Sequence, residues 1–115
     1  MFQQLCGVLG GRAGPDGDIV PLINEANRRL VTPRLYTQLH NRGALSSIPP
    51  DAANFLADVA SRNRARNRQL RAQLEAAVAA LNAADVVPVL LKGAVQLIRE
   101  GQTCDRILSD IDLLI

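Results

Sequence analysis

Two apolar segments near the end of the 115-residue sequence decide the fold: residues 89–94 read VLLKGA, and residues 109–115 read SDIDLLI. Each segment predicts a β-strand, because it is a short apolar run bounded by turn-forming or polar residues. The first run ends at Gly93, and a helical pattern begins at Ala94 and extends to Arg99 or Glu100. This order predicts a strand, a glycine turn, a short helix, a connector over residues 102–108 and a second strand.

Side chains on the second strand are expected to alternate between two faces. Asp110 and Asp112 then project to one side, about 7 Å apart along the backbone. Ile111, Leu113 and Ile115 point the other way, into the core that the sheet covers. Two neighbouring carboxylates repel each other unless a divalent cation lies between them, and oxygen ligands suit magnesium.

The glycine turn predicts a complementary anion site. Gly93 lacks a side chain at the junction of strand and helix, so a phosphate can approach the backbone there. The free N–H groups of the helix N-terminus, together with Lys92 and Arg106, are candidate donors for a triphosphate. A phosphate cradle that faces a two-carboxylate metal site is what nucleotidyl transfer needs.

These residues resemble a known family. Gly93 with Ala94, a helical spacer and the Asp-Ile-Asp sequence at 110–112 are similar to the glycine turn and aspartate-x-aspartate strand of the DNA polymerase beta-like nucleotidyltransferase superfamily. The fuller pattern, with LKGA at 91–94, Arg106 and SDIDLL at 109–114, resembles a bacterial family of uncharacterised nucleotidyltransferases within that superfamily. The resemblance covers most of the chain, from about residue 32 onward.

The resemblance implies a metal-dependent enzyme that transfers NMP from an NTP to an acceptor hydroxyl. Asp110 and Asp112 are then catalytic and hold Mg²⁺, within a two-ion site in the complete enzyme. The implied nucleotide- and phosphate-binding residues are Lys92, Gly93, Ala94, Arg106 and Ser109. Ser109 either donates a hydrogen bond to a phosphate or shapes the entry to the strand. The acceptor stays open among a protein, an RNA and a small molecule, as does the nucleotide preference.

Two departures from the superfamily pattern bear on activity. Members commonly have glycine or serine after the turn glycine, whereas Ala94 has no hydroxyl for a phosphate. Members also place a third carboxylate on a later strand, whereas this sequence stops at Ile115 directly after the second strand. We therefore expect a fragment of a longer enzyme that is catalytically poor by itself.

The whole chain is expected to adopt an α+β fold. A mostly helical region, residues 1–84, is expected to pack on the first β-α-β unit of an incomplete polymerase beta-like nucleotidyltransferase fold, residues 85–115. Helices are predicted at residues 2–9, after a cap at Asp18 through Leu30, after a cap at Thr32 to about residue 42, and from residue 50 or 51 to residue 83 or 84. The first strand is predicted to span residues 86–91.

Composition limits the class of protein. The sequence is 48% hydrophobic with a net charge of +2, as expected for a soluble globular domain, and its 3% aromatic content favours an aliphatic, helical core. Cys6 and Cys104 lack the spacing of metal ligands and are expected to be free, buried thiols. The absence of an evident secretory leader or membrane span predicts a cytoplasmic protein without a membrane partner.

The long fourth helix carries two polar features. Asn63 and Asn67 lie four residues apart on its apolar stripe, so their amides either meet polar partners, such as the active-site loop or a nucleotide, or lie on an exposed section. We favour the exposed interpretation. The same segment contains five arginines, namely Arg62, Arg64, Arg66, Arg68 and Arg71. We interpret them as a solvated face balanced by Asp58 and Glu75, because base-stacking aromatic residues are missing.

A competing hypothesis is a non-catalytic helical interaction or nucleotide-binding module whose sheet is completed by another chain. A two-stranded sheet is marginal alone. An apolar final strand also exposes an edge that favours pairing, including self-association of this chain. Magnesium-dependent NTP binding that requires both aspartates separates this hypothesis from the enzyme.

Overall fold

A computed structural model of the chain describes residues 1–11, 14, 17–101 and 104–115. Its elements in chain order are α1 (Phe2–Leu9), α2 (Ile19–Arg28), α3 (Thr32–Asn41), a 3-10 turn (Leu45–Ser47), α4 (Pro50–Ala83), β1 (Val89–Leu91), α5 (Gly93–Glu100) and β2 (Asp112–Leu114). The described residues are mostly helical and include a two-stranded sheet, which confirms the α+β class.

The chain divides into two compact units, residues 1–62 and 63–115, and the boundary falls inside helix α4. The sequence-based division instead follows the secondary structure and falls at the end of this helix, between residues 84 and 85. That division into a helical region and a catalytic core stays a prediction.

The first unit is a helical core of aliphatic residues. Its buried apolar side chains are Leu5, Val8, Ile19, Leu22, Ile23, Ala26, Leu35, Leu39, Ile48 and Leu56. The predicted cap at Asp18 is confirmed, because its Oδ1 accepts a hydrogen bond of 3.0 Å from the Val20 N–H. The prediction for Leu30 is wrong: α2 ends at Arg28, and Leu30 is 64% exposed with a φ of +59°.

The predicted cap at Thr32 is also wrong. The cap position of α3 is Val31, so Thr32 already belongs to the helix, and Pro33 follows in the first turn as expected. The Thr32 hydroxyl donates instead to Oδ1 of Asn27. The hydroxyl therefore links the end of α2 to the start of α3 rather than capping its own helix.

The second unit contains the sheet. Strands β1 and β2 are antiparallel, with Leu90 paired to Leu113 and Leu91 paired to Asp112, and α5 connects them along the chain. Its core is formed by Leu74, Ala94, Leu97 and Leu108, and Leu90, Ile111 and Leu113 pack against it. The inward orientation predicted for Ile111 and Leu113 is confirmed. The same prediction for Ile115 is wrong, because Ile115 lies past the last residue of β2 and is 80% exposed.

Candidate functional site

Strand pairing brings the glycine turn beside the aspartate strand. Because Leu91 pairs with Asp112, the next residue, Lys92, reaches the same end of the sheet. Lys92 Nζ lies 3.4 Å from Asp112 Oδ2, and their side chains are 79% and 36% exposed. Such an exposed pair contributes little to stability, below about 1 kcal/mol. Its importance is spatial: a cationic and an anionic candidate share one open corner of the sheet.

The face of the sheet that carries Asp112 is open to solvent. Leu90 and Leu113 turn their side chains to the core, so the alternation of a strand places Asp112 and Leu114 on the opposite face. Asp110 lies two residues before Asp112, ahead of β2, and is exposed. The placement of both carboxylates on one side, as metal ligands, stays a prediction.

Lys92 occupies a backbone conformation that L-residues seldom adopt. Its φ is +53° and its ψ is −127°, at the residue that precedes α5. A side chain in such a region costs about 1–3 kcal/mol, and residues of this kind cluster at functional sites. Glycine would relieve the strain, yet the chain places here the only lysine of its sequence. This cost favours a role for the Lys92 ammonium group.

Close packing explains why position 93 is glycine, and the sequence did not indicate this packing. A Cβ at this position would lie 2.5 Å from Leu108 Cδ2, so the absence of a side chain lets the connector pack against the start of α5. Ala94 is buried in the core of the second unit, so only its backbone N–H remains available to a ligand. The role of this turn in phosphate binding stays a prediction.

Replacing Gly93 with alanine should lower the free energy of unfolding by about 1–3 kcal/mol, because the buried Leu108 side chain must leave its position. Urea unfolding followed by circular dichroism measures the change. In a Leu108→Ala background the added Cβ meets no Cδ2, so Gly93→Ala should then cost almost nothing. An equal cost in both backgrounds would show that this contact is not the reason for glycine.

The described part of the connector, residues 104–108, is held by hydrogen bonds from α4. The Arg106 carbonyl accepts hydrogen bonds from Asn63 Nδ2 at 3.0 Å and from Asn67 Nδ2 at 3.1 Å. Asn67 Nδ2 also lies 3.3 Å from the Cys104 carbonyl. Both asparagines are buried, so the exposed interpretation of their section of helix is wrong. These bonds fix the Arg106 backbone and leave its side chain exposed.

Arg66 is a residue of this site that the sequence interpretation missed. Its Nε donates to the Leu108 carbonyl at 3.1 Å, and its Nη2 donates to the Ser109 carbonyl at 3.4 Å. Ser109 itself is exposed, immediately before Asp110. The sequence does contain one indication of this role. Arg66 directly precedes Asn67, in the part of α4 where polar residues interrupt the apolar stripe.

Two other arginines do pair with acidic residues on α4, as the interpretation of a solvated face expected. Arg62 Nε lies 3.0 Å from Asp58 Oδ2, and Arg71 Nε lies 3.0 Å from Glu75 Oε1. Both are pairs four residues apart on a helix, which is the spacing that brings side chains together. Within this segment, Arg62 and Arg71 thus form surface ion pairs, whereas Arg66 donates hydrogen bonds to the connector.

A family model for uncharacterised nucleotidyltransferases matches residues 15–115, which include every candidate site residue. The chain belongs to this nucleotidyltransferase family. Membership supports a general nucleotidyltransferase role and confirms the family indicated by the glycine turn and the aspartate strand. No curated protein and no solved structure matches the chain.

Cys104 of this nucleotidyltransferase is a buried thiol in the connector. Cys104 and Cys6 are not joined in a disulfide, as expected from their spacing, although Cys6 is only half-buried. Burial raises the pKa of the Cys104 thiol, and the nearby Glu100 carboxylate raises this pKa further, while a hydrogen bond with the Arg106 backbone opposes the change. The thiol is therefore neutral near pH 7, which favours a packing role over nucleophilic chemistry.

None of the helices in the described part of the chain combines the length and the apolar character that a span of the bilayer needs.

Proposed function

We propose that this nucleotidyltransferase binds a magnesium-bound NTP at the corner formed by the glycine turn and the aspartate strand, and transfers NMP to an acceptor hydroxyl. The observation that carries the proposal is the 3.4 Å approach of Lys92 to Asp112. It supports a shared site for phosphate oxygens and a cation. The proposal includes a cytoplasmic location, where NTPs are supplied.

The available donor set fits magnesium bound together with its substrate. Among the described residues, no cluster of three or more His, Cys, Asp or Glu side chains could hold a metal by itself. Mg²⁺ commonly takes only one or two carboxylates, keeps several waters and completes its shell with substrate phosphates. Asp110 and Asp112 would supply the carboxylates, and Lys92 would turn from Asp112 to the phosphates. When bound, the ion supplies positive charge against the triphosphate oxygens.

The reaction in this proposal is a displacement at the α-phosphorus. The acceptor oxygen forms a bond to that phosphorus, the bond to the bridging oxygen breaks, pyrophosphate leaves and the hydroxyl proton passes to a base. Lys92 and Arg106 neutralise the charge that develops on pyrophosphate. The N–H groups of Gly93 and Ala94 cradle the outer phosphates, and the Ser109 hydroxyl donates to a phosphate oxygen. The acceptor is a protein, an RNA or a small molecule that carries a hydroxyl.

Replacing Lys92 with glycine should change stability and binding in opposite directions. The free energy of unfolding should rise by about 1 kcal/mol, because relief of the positive-φ strain exceeds the loss of an exposed ion pair. NTP binding in the presence of magnesium should weaken about tenfold, because one charge-assisted contact to phosphate is lost. Urea unfolding and calorimetric titration with each NTP measure the two effects.

Lys92→Arg is the matched control, since it keeps both the charge and the side chain at positive φ. Its NTP affinity should stay within a few-fold of the parent, and its stability should not change. Unaltered NTP affinity in Lys92→Gly, or no magnesium-dependent binding in the parent, would contradict the proposed site.

The solvent-facing side of the sheet favours a second candidate function. Val89, Leu91 and Leu114 are exposed apolar residues on two strands of only three residues each. Packing of another chain, or of a second copy, against this face of the sheet would cover them. A non-catalytic interaction module would then show concentration-dependent association in sedimentation that Leu114→Lys abolishes, and it would not bind NTP.

A further inference from the structure

The backbone that leads into the two aspartates, residues 104–111, belongs to no helix or strand that the structure describes. The described pairing of the sheet begins at Asp112, which lies opposite Leu91. Asp110 is therefore two residues ahead of the paired part of β2. Mg²⁺ demands near-ideal geometry, so both carboxylates need a fixed position if they are to share one ion. For Asp110 this position has to be set by a part of the chain other than the sheet.

Helix α4 presents three donors to this segment. Asn63, Arg66 and Asn67 lie three and four residues apart, a spacing that places their side chains on one face of the helix. The accepting carbonyl groups belong to every second residue of the described connector, namely Cys104, Arg106 and Leu108. One side of the connector thus follows α4, and side chains take the place of a strand partner.

Arg66 is the donor that reaches furthest towards Asp110. Its Nε donates to the Leu108 carbonyl at 3.1 Å and its Nη2 donates to the Ser109 carbonyl at 3.4 Å, so one planar guanidinium holds two consecutive peptide groups. The Ser109 carbonyl and the Asp110 N–H belong to the same peptide group, which is planar and rigid. The contact with Ser109 therefore also orients the start of Asp110.

The Leu108 side chain is anchored independently of Arg66. It is buried in the core of the second unit and lies against Gly93, where a Cβ would be only 2.5 Å from Leu108 Cδ2. Loss of the guanidinium should therefore leave Leu108 and the glycine turn in place and release the segment from Ser109 onward. Arg66 itself is exposed, so a shorter side chain opens no cavity in the core.

We propose that Arg66 is a positioning residue for the metal site: its guanidinium fixes the peptide group that enters Asp110, so that the Asp110 carboxylate meets the same cation as Asp112. This inference rests on the proposed function, in which the two aspartates are the metal ligands. Arg66 acts through Asp110 and contacts neither the cation nor the nucleotide, because its hydrogen bonds are directed to the backbone. Substitution of residues that orient metal ligands commonly weakens metal binding by about 10–100-fold.

Nitrogen-15 relaxation of the ligand-free 115-residue protein tests the hold on Asp110 without metal or nucleotide. Arg66→Gln should lower the backbone order parameters of Ser109 and Asp110 from about 0.85, typical of rigid backbone, to about 0.6 or below. Arg62→Gln, which removes the same charge from a surface pair with Asp58, should leave these values unchanged. Glutamine supports helix, so α4 should stay intact in both variants. Low order parameters in the parent, or values that Arg66→Gln does not change, would overturn the proposal.

Calorimetric titrations with ATP, GTP, CTP and UTP, each with magnesium and again with a chelator, test the consequence for the site. Arg66→Gln should weaken magnesium-dependent binding about tenfold or more and leave binding in the chelator unchanged. Arg66→Lys should lose a similar factor, because an ammonium group lacks the planar fork that holds two carbonyls. In an Asp110→Asn background, Arg66→Gln should have almost no further effect, since Arg66 acts through the Asp110 carboxylate.

Failure of this inference and failure of the proposed function give different results. Magnesium-dependent binding that Arg66→Gln retains in full would overturn the role of Arg66 and leave the proposed NTP site standing. Parent affinity in Arg66→Lys, or an undiminished loss from Arg66→Gln in the Asp110→Asn background, would show that Arg66 acts by its charge rather than by positioning Asp110. Absence of magnesium-dependent binding from the parent would overturn both the proposed function and this inference.

Discussion

Asn67→Ala should lower the free energy of unfolding of the second unit by about 2 kcal/mol. The substitution removes the donor that reaches the Cys104 and Arg106 carbonyls, 3.3 and 3.1 Å away. The Arg106 carbonyl keeps its hydrogen bond from Asn63 Nδ2 at 3.0 Å, so only the Cys104 carbonyl loses its side-chain donor, at a cost of about 1–3 kcal/mol. Asn67 Oδ1, a buried acceptor without a hydrogen-bond partner in the described part of the chain, disappears with the same change, and this relief keeps the net loss within that range. Urea unfolding measures the total, and amide hydrogen exchange at residues 104–109 locates it.

Asn82→Ala is the matched control, because Asn82 is an exposed asparagine on the same helix. Its effect should be within about 0.5 kcal/mol of zero, as for most surface substitutions. Asn63→Ala, which removes one bond rather than two, should fall between the two variants. If Asn67→Ala unfolds like Asn82→Ala and leaves exchange in the connector unchanged, α4 does not hold the segment that carries Arg106.

Asp110→Asn/Asp112→Asn should abolish the magnesium-dependent part of NTP binding, a loss of about 100-fold or more. The amides keep the size of the carboxylates and remove two negative charges. The proposed site then offers no negatively charged side chain to a divalent cation. Two charge-assisted contacts of about 1.5 kcal/mol each give this factor. Titration of each NTP with magnesium, and again with a chelator, separates metal-dependent from metal-independent binding.

The free energy of unfolding of the double variant shows whether a loss of binding reflects a loss of fold. Asp110 is exposed, and the Lys92–Asp112 pair is too open to solvent to contribute more than about 1 kcal/mol, so the fold should survive. Asp58→Asn changes an exposed carboxylate of the first unit and should leave NTP binding unaltered. Magnesium-dependent binding that persists in the double variant would exclude the two aspartates as the metal ligands.

Local patterns predicted the parts of the fold that depend on neighbouring residues. Asp18 was recognisable as a cap, because its side chain acts on an N–H two residues away. Helix α4 was predicted from apolar residues repeated at spacings of three and four. The alternation of side chains along a strand correctly predicted that Ile111 and Leu113 face the core. Leu30 and Thr32 were misplaced because α2 ends earlier than its apolar pattern and the Thr32 hydroxyl has a partner outside its own helix.

The remaining features depend on contacts between distant parts of the chain, which periodicity does not report. Gly93 is required by Leu108, and Asn67 acquires its role from carbonyls on the connector. Lys92 could be recognised as a candidate cation, but its positive φ follows from the way β1 enters α5. Residue types and spacing thus identified the candidate site, whereas the residues that position it appear only after folding.

The most direct test of the central claim uses Mn²⁺ as a paramagnetic substitute for magnesium, in amide NMR spectra of the protein with NTP. We expect selective broadening of the signals of residues 91–94 and 110–112, and loss of this broadening in Asp110→Asn/Asp112→Asn. Broadening centred on other acidic residues, such as Asp58 or Glu75, or broadening that is the same in the variant, would show that the cation does not bind at the corner between the glycine turn and the aspartate strand.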